Sequence, residues 1–444
     1  MRLAIGPLSL TSKFSTNAII YLGSSFAGAL LSFIMLRYFT KYLDASDYGI
    51  FGYVTAINTF VQPVFVLSLN SYYIKEYFLI KNEQAKKELM GTITIFITIW
   101  TIILIAVFSL AGGFVFRYFS FSFPFYPYMF LTLVNNIFIA PVTLILVKYR
   151  LLSKPWPYFI VSFLQNFLLL MVGFFFVSVY PWGVYGRILG NTIGSMLLGL
   201  LCTVLLWPYL RIVFNRKKLI EGLRFSLPLI PYALIILSFD TLDRFFLERY
   251  HSSLSTLGLY NVGFQYASIV SMFTLAFYKA YEPEIFKLKA ENNEGGISRI
   301  MIKLNLVVFG MAFFLIVFSH WILYYLTNGR FVQSAGISAF LIVAFYFKSA
   351  YTMLNTVLIA SSLNRQIFII SILAFFIFVG GSLVFVPISK LYSTLGIKIS
   401  LYLVGFFCSY QVIANKSTYR TYFIHTYIGC AILLLLSLLI NHWS

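Results

Sequence analysis

Apolar runs of about 20 residues recur along the whole chain, and this is the length that an α-helix needs to cross a hydrocarbon core about 30 Å thick. We count thirteen such runs in the 444 residues, and they leave no stretch long enough for a separate soluble domain. The sequence therefore predicts an all-α protein that crosses a membrane many times. The runs cover residues 14–39, 49–74, 90–111, 126–147, 158–180, 184–207, 225–247, 258–281, 302–326, 335–360, 366–387, 395–414 and 422–440.

Lys and Arg are distributed unevenly between the two sides of the predicted bundle. The first run follows only Arg2 and Lys13, has no small-residue cleavage site behind it and is too long for a signal-peptide core. We therefore interpret it as a retained helix with a cytoplasmic N-terminus. The segments that this orientation places in the cytoplasm hold at least three times as many Lys and Arg residues as the opposite loops. This positive-inside pattern, facing anionic membrane lipids, accounts for most of the net charge of +19 without a nucleic-acid partner.

The sequence does not predict a metal, cofactor or catalytic site. Cys202, Cys408 and Cys430 lie in separate runs, and the four histidines show no ligand spacing. No Gly-rich loop ends in Lys-Ser or Lys-Thr, as a phosphate-binding loop would. No connecting loop is large enough to hold a catalytic domain. We therefore expect no cofactor, no bound metal and no enzymatic activity.

Two hairpins of the chain are similar, which indicates an internal duplication. The sequence RYF at residues 37–39 precedes GIF at 49–51, and RFF at 244–246 precedes Gly-Leu-Tyr at 258–260. The copies start six runs apart, so the two halves would have the same orientation about an axis along the membrane normal. Chance similarity between two aromatic-rich hairpins is the alternative. The expected divisions are a six-helix half at 1–207, a second six-helix half at 208–421 and an additional transmembrane helix at 422–444.

Charged side chains occur inside the runs, where an uncompensated charge costs several kcal/mol. Asp240, Asp243 and Arg244 share one face of a helix, so that face points into protein or water. An internal salt bridge between helices is the alternative to a functional role for this group. The charged residues that we single out within runs are Asp240, Asp243, Arg244, Arg187, Lys279 and Lys348.

The positions of the three remaining cations along their runs differ. Lys348 is thirteen residues into its run, about 20 Å along a helix and close to the bilayer midplane, so we expect it to face a cavity. Arg187 and Lys279 lie within one turn of a run end, where a long side chain could instead reach the headgroups. With the Asp240 group these cations would make a shared lumen cationic, which suits an anionic ligand.

Four segments share a pattern with a known family: residues 223–231, 239–247 and 257–260 with Pro283, and the turn at 42–49 after Arg37. They resemble the polysaccharide biosynthesis flippases, the O-antigen and capsule translocases, which belong to the multidrug/oligosaccharidyl-lipid/polysaccharide exporter superfamily. The resemblance implies two six-helix halves around a central cavity that opens alternately to either side. It also implies a substrate built of sugars on an undecaprenyl pyrophosphate carrier. The thirteenth run departs from the usual twelve or fourteen.

The charges and the resemblance lead to one hypothesis, a flippase for undecaprenyl-pyrophosphate-linked oligosaccharide repeat units in the bacterial cytoplasmic membrane. Asp240 or Asp243 would take up the coupling proton or sodium ion. Polysaccharide polymerase and chain-length proteins are candidate partners. The alternatives are a drug or cation antiporter of the same superfamily, expected to have an anionic cavity, and a membrane polymerase or ligase, expected to have a large external loop. The residues predicted to bind the diphosphate through charge-assisted hydrogen bonds are Lys348, Arg187, Lys279 and Arg244.

Overall fold

The protein is described by a computed structural model over residues 12–250, 253–413 and 416–443, and this part of the chain is helical with short connections. A short 3-10 helix, Trp207–Tyr209, follows α7. The α-helices of the described residues are α1 (Ser12–Tyr42), α2 (Ala45–Val66), α3 (Leu69–Leu79), α4 (Glu83–Tyr118), α5 (Tyr128–Leu151), α6 (Pro155–Ser178), α7 (Gly183–Leu206), α8 (Arg216–Ser226), α9 (Leu229–Arg249), α10 (Leu254–Ala290), α11 (Glu294–Val317), α12 (Ser319–Leu326), α13 (Ser334–Ala360), α14 (Asn364–Val412) and α15 (Lys416–Trp443).

The membrane-crossing character of these helices follows from their length and composition. Within the described residues nine helices are long and apolar enough to cross a bilayer, and the bent pair of α8 and α9 makes a tenth. The 49-residue α14 holds two predicted runs, because its backbone leaves the helical conformation at Ser389 and Lys390. Helices α1 and α10, of 31 and 37 residues, coincide with the first and eighth runs. Each of the thirteen predicted runs thus falls largely on helix, and the multi-pass all-α prediction is confirmed.

Three predicted runs are interrupted by breaks that the apolar pattern does not reveal. The run at 49–74 crosses Leu67 and Ser68, which both have φ of +51°, so α3 is separate from α2. The run at 225–247 is bent by 47° between α8 and α9. Pro228 precedes α9 there, and proline cannot continue the hydrogen bonding of α8. The run at 302–326 divides into α11 and α12 at Phe318.

The helices form two six-helix halves around a central cavity. In the first half α1, α2 and α4 to α7 pack together, and in the second half α9, α10, α11, α13 and the two parts of α14 do so. Helix α13 is the centre of the second half, with 83% of its most apolar stretch buried. Helix α15 packs on α11 and α13 and is the predicted additional helix. Between the halves the main contacts are those of α2 with α9 and α10.

The first helix turns of α2 and α10 lie against each other, at the matching glycines of the predicted duplication. A Cβ atom added to Gly258 would lie 1.7 Å from the carbonyl oxygen of Ala45. One added to Gly49 would lie 2.1 Å from the carbonyl oxygen of Leu254. Only glycine allows two backbones to approach so closely. This reciprocal contact is expected if the two halves are related by a two-fold axis along the membrane normal. We call this end of the bundle, where α2 and α10 begin, the hairpin end.

Each half also holds the other through a loop at the hairpin end. After α4, the backbone N–H of Ser122 donates to the carboxylate of Glu248 at the end of α9, at 2.7 Å. Before α13, the guanidinium of Arg330 donates to the carbonyl oxygens of Thr40 and Lys41 at the end of α1, at 2.9 and 3.0 Å. Carbonyl groups at a helix C-terminus lack partners within the helix and attract cations. The two loops therefore fasten the halves together at this end.

The linker between the halves packs on the first half rather than on the second. The hydroxyl of Ser226 at the end of α8 donates to the carbonyl oxygen of Ser68 at 3.3 Å. Lys218 forms a salt bridge with Glu76 of α3 at 3.6 Å. Because α8 is held in this way, the chain changes from one half to the other at the bend before α9.

Candidate substrate cavity

A cavity of about 400 Å³ lies between the two halves, bounded by α2 on one side and by α9, α10 and α13 on the other. Its apolar lining comes mainly from aromatic rings, and its polar lining from hydroxyl, amide and charged groups. The ionisable groups at its wall, apart from the Tyr48 hydroxyl, are one acid and two bases, so the lining carries one net positive charge. The lining residues are Tyr48, Phe51, Gly52, Thr55, Ala56, Thr59, Asp240, Thr241, Arg244, Asn261, Phe264, Gln265, Ser268, Ser271, Phe345 and Lys348.

Asp240 and Lys348 form an ion pair at the wall of this cavity, between α9 and α13. The carboxylate also accepts a hydrogen bond from the hydroxyl of Tyr402 on α14, at 2.8 Å. Both members of the pair remain partly accessible, with 32% of the Asp240 side chain and 28% of the Lys348 side chain exposed. An ion pair with this access to a cavity can exchange one partner for a ligand or for water.

Asp243, three residues further along α9, forms a second ion pair with Lys398 of α14, and both side chains are fully buried. The same carboxylate accepts hydrogen bonds from the hydroxyl of Tyr260 and from the backbone N–H of Arg244, the latter at 2.8 Å. The guanidinium of Arg244 lies 3.3 Å from it. With these four donors the carboxylate of Asp243 is saturated and enclosed.

Arg244 joins this network to the cavity and to the other half of the protein. Its Nε donates to the amide oxygen of Asn261 at 2.5 Å, and one Nη donates to the backbone carbonyl of Asp240 at 2.7 Å. The amide nitrogen of Asn261 donates in turn to the carbonyl oxygen of Tyr48 on α2, at 3.1 Å. The guanidinium lies 4.0 Å from the ring centre of Phe264. Arg244 is therefore positioned by polar bonds on one side and by an aromatic face on the other.

A second, more apolar cavity of about 470 Å³ lies between α1 and α10. It shares Gln265 and Ser268 with the central cavity, so the two spaces adjoin. Phe26 and Leu30 of α1 line it and are 43% and 46% exposed at the surface of the bundle. This groove therefore adjoins the central cavity at one side and reaches the outer surface of the bundle at the other.

Comparison with known protein families identifies the chain through a match that runs from α1 into α10. The sequence profile described as "Polysaccharide biosynthesis protein" matches residues 14–289, which is more than half of the chain. The chain belongs to this family. No curated protein sequence matches it significantly.

Solved structures of similar fold are transporters of the MOP superfamily. One is an inward-facing multidrug resistance MATE family transporter, with a TM-score of 0.68 and 13% identity, covering 94% of this chain and 98% of that one. A second is the lipid II flippase MurJ in an inward closed conformation, with a TM-score of 0.68 and 15% identity, covering 95% and 97%. A third is a MOP superfamily transporter from Pyrococcus furiosus with reverse polarity of its binding pocket, with a TM-score of 0.61, 14% identity and coverage of 91% and 96%. At these identities the similarity establishes the fold.

The structure brings together four of the six charged residues that the sequence singled out in this family member. Lys348, Arg244 and Asp240 line the central cavity, and Asp243 lies directly behind them. The interhelical salt bridge that was the alternative interpretation is also present, because each aspartate pairs with a lysine of another helix. The side chain of Lys279, on α10, lies outside the described residues.

Arg187 does not line the cavity, and its side chain does not reach the membrane surface either. Only 6% of the residue is exposed. Its guanidinium lies 3.5 Å from the ring centre of Phe39 and 4.2 Å from that of Phe51. The alternative interpretation, that this side chain reaches the headgroups, is therefore wrong for Arg187, because α1 and α2 cover it with aromatic rings.

Lys398 was not among the residues singled out, although it is the fourth residue of the predicted run at 395–414. A lysine so close to a run end is ordinarily interfacial. In the structure the helix already resumes after the break at Lys390, so Lys398 lies two turns inside it. The sequence did not distinguish Tyr260 and Tyr402 as site residues, because they are two of 32 tyrosines in the chain. Within the described segments no three His, Cys, Asp or Glu residues are grouped as a metal site would require.

Proposed function

We propose that this protein is a flippase that moves undecaprenyl-pyrophosphate-linked oligosaccharide repeat units across the bacterial cytoplasmic membrane by alternating access. The observation that carries the proposal is the net positive cavity between the halves, which Lys348 and Arg244 both line. An ammonium and a guanidinium are the donors that bind a diphosphate through charge-assisted hydrogen bonds. No bond of the substrate needs to change in this process.

The adjoining groove between α1 and α10 supports a lipid-linked substrate. Its lining is mainly apolar, and it meets the central cavity at Gln265 and Ser268. A diphosphate and its sugars would occupy the central cavity, where hydroxyl and amide groups contact them. The prenyl chain would leave through the groove and stay in lipid, so its many methylene groups would not be exposed to water.

The two aspartates have different suitability for ion coupling. Asp243 is saturated and fully buried, whereas Asp240 is partly exposed and keeps only Tyr402 when Lys348 turns to a ligand. We therefore assign the coupling role to Asp240. When the diphosphate takes Lys348, the released carboxylate would take up a proton or sodium ion, and its return to Lys348 would expel both substrate and ion.

The positive-inside pattern gives the orientation of the proposed cycle. With this pattern the N-terminus would lie in the cytoplasm and the hairpin end, with its fastened loops, outside. The first half with α8 and the second half from α9 onwards would rock against each other, with the bend before α9 as the flexible point, so that the α2 and α10 contact closes in one state and opens in the other. Membrane lipids surround the bundle, and a polysaccharide polymerase and chain-length proteins would take over the product.

A drug or cation antiporter of the same superfamily is less compatible with this cavity. The one carboxylate at the wall, Asp240, is already paired with Lys348, so the lining offers an organic cation no free acid.

The proposal is tested with Lys348→Ala in cells that lack the endogenous flippase of a surface polysaccharide. We expect lipid-linked repeat units to accumulate on the inner leaflet and export to fall at least tenfold, because the cavity loses its accessible ammonium. Lys348→Arg should keep part of the activity, since the charge remains but its shape changes. Lys217→Ala, on the exposed face of α8, is the matched control and should export normally. Normal export by a well-expressed Lys348→Ala protein would overturn the assignment.

A further inference from the structure

Arg187 is a buried cation that does not line the cavity described above. It lies on the second turn of α7, close to the hairpin end, where α7 begins beside Asp47 at the start of α2. The residue is only 6% exposed. Its guanidinium stacks between the rings of Phe39 on α1 and Phe51 on α2. Arg187 is thus enclosed within the first half of the protein.

The guanidinium of Arg187 has no anionic partner in this conformation. Its Nε and one Nη are buried and donate no hydrogen bond of normal geometry to the described residues, although the hydroxyl of Tyr48 lies close by. No carboxylate of the described chain forms a salt bridge with it, in contrast to Arg244, Lys348 and Lys398. Aromatic faces return only a small part of the free energy that a guanidinium loses when water is removed. A cation kept at this cost is expected to have a partner in another conformation.

Only one layer of aromatic rings separates Arg187 from the central cavity. Tyr48 and Phe51 both line the cavity, and both rings face the guanidinium, at 5.6 and 4.2 Å. The hydroxyl of Tyr48 is itself buried, and it interacts with the guanidinium of Arg187. Both rings belong to the first two turns of α2, the part that packs on α10 through Gly49. Opening of the hairpin end would separate α2 from α10 and move these rings.

We propose that Arg187 is a second binding site for the diphosphate, covered while the hairpin end is closed and uncovered when it opens. This inference rests on the flippase function proposed above and adds a second position along the path. Lys348 and Arg244 hold the diphosphate while the hairpin end is closed. Arg187 then receives it, because its fork of N–H donors matches phosphate oxygens and competes with no protein carboxylate. The ligand at both positions is a prenyl diphosphate.

The test compares prenyl diphosphate binding in a closed and in an opened protein. The opened background carries Gly258→Ala, whose added methyl group cannot fit beside the carbonyl oxygen of Ala45. Opening is verified by labelling of a cavity cysteine, Thr55→Cys, with a membrane-impermeant thiol reagent from the hairpin side. If Gly258→Ala does not open the protein, Arg330→Met, which removes the loop contact to α1, takes its place.

Undecaprenyl pyrophosphate is the probe, measured by titration of purified protein in detergent. We expect Arg187→Met to leave the affinity of the closed protein within about twofold of the parent value and to lower the affinity of the opened protein at least tenfold. Arg187→Lys should recover part of that loss. The control is Arg249→Met, an exposed arginine at the hairpin end that stacks on Phe119 and should change neither affinity.

The outcomes separate this inference from the proposed function. Equal affinity of the parent and Arg187→Met proteins in a background shown to be open overturns the second site. A lowered melting temperature of Arg187→Met, together with equal losses in both backgrounds, also overturns it, because Arg187 would then only support packing. If Lys348→Ala also fails to weaken binding of the probe in the closed protein, the proposed function itself is wrong. Loss at Lys348 without loss at Arg187 rejects only the second site.

Discussion

Asp240 and Asp243 form two ion pairs of the same chemistry, less than one helix turn apart on α9, and their surroundings differ in one respect. The Asp243–Lys398 pair is fully enclosed, whereas about three-tenths of each side chain in the Asp240–Lys348 pair is exposed at the cavity. The enclosed pair is held by Tyr260 and Arg244 as well, and the accessible pair by Tyr402. Access to the cavity, rather than charge, therefore separates a structural pair from one that can exchange partners.

The comparison teaches how a charged cavity is kept stable without being blocked. A buried ion pair is stabilising only when its remaining hydrogen-bonding capacity is satisfied, and the carboxylate of Asp243 meets this condition. The ammonium of Lys398 lies 4.7 Å from the ring centre of Phe264 as well. The Asp243 pair anchors α9 to α14 behind the cavity wall. The Asp240 pair can then open without leaving α9 unattached. We expect substitutions at the two pairs to differ both in size and in kind.

The largest expected effect is on stability, at the enclosed pair. Asp243→Asn leaves the fully buried Lys398 without its partner, and Lys398→Met leaves the fully buried Asp243 with Arg244 as its remaining charged partner. We expect either change to cost about 3–5 kcal/mol of the free energy of unfolding. We expect a large fall in the melting temperature of the detergent-purified protein and in its yield from membranes. Transport would be lost only because folded protein is lost.

The double variant Asp243→Asn/Lys398→Met is the control for this prediction, because it removes both charges together. It should recover most of the melting temperature that either single variant loses. Single variants that melt like the parent protein would mean that water reaches Asp243, and the contrast between the two pairs would disappear.

An intermediate effect is expected at the accessible pair, where a substitution should reduce transport more than stability. Asp240→Asn leaves Lys348 at the wall of a cavity that water can enter, so the cost to stability is about 1 kcal/mol, as for a partly exposed pair. The proposed coupling carboxylate is lost, so export of lipid-linked glycan should fall at least tenfold. Export is measured in cells at matched amounts of protein in the membrane.

Asp47→Asn, on a carboxylate outside the cavity lining that accepts from the backbone of α7, is the matched control and should retain export. An Asp240→Asn protein that exports normally but melts far below the parent would reverse the roles given to the two pairs.

The smallest expected effect is a difference in stability between variants of the two tyrosines that donate to these carboxylates. Tyr260→Phe removes a bond to the enclosed Asp243, which water cannot replace, and should cost about 2 kcal/mol. Tyr402→Phe removes a bond to Asp240, which water from the cavity can replace, and should cost about 1 kcal/mol or less. Melting temperatures of both variants, measured in parallel, give the difference. Equal losses would show that the two carboxylates have similar access to water.

Much of the fold follows from the sequence, because thirteen apolar runs leave few arrangements for the chain. The matching glycines of the two hairpins, Gly49 and Gly258, were also visible, and their reciprocal contact agrees with the expected two-fold relation. The break between α2 and α3 was not visible in the sequence. Leu67 and Ser68 adopt positive φ there, although neither is a glycine, the residue that usually marks this conformation.

One part of the candidate site was predictable, because a charged residue deep in an apolar run can be recognised from the sequence. Lys348 lies far from both ends of its helix, and the structure places it at the cavity wall. Partnership between charges was not predictable, since pairing of Asp243 with Lys398 depends on how α9 and α14 pack, over 155 residues of sequence separation. Burial of Arg187 under the rings of Phe39 and Phe51 likewise depends on tertiary packing.

The contact between the first turns of α2 and α10 makes the tolerance of two positions depend on the state of the transport cycle. With the halves fastened at the hairpin end, a single methyl group at Gly258 would overlap a carbonyl oxygen. With the halves apart, the same methyl group would face open space and cost almost nothing. Such a substitution therefore raises the free energy of one state relative to the other and leaves the residues of the ligand site unchanged. Selection on these glycines would then act on the turnover of the cycle rather than on folding.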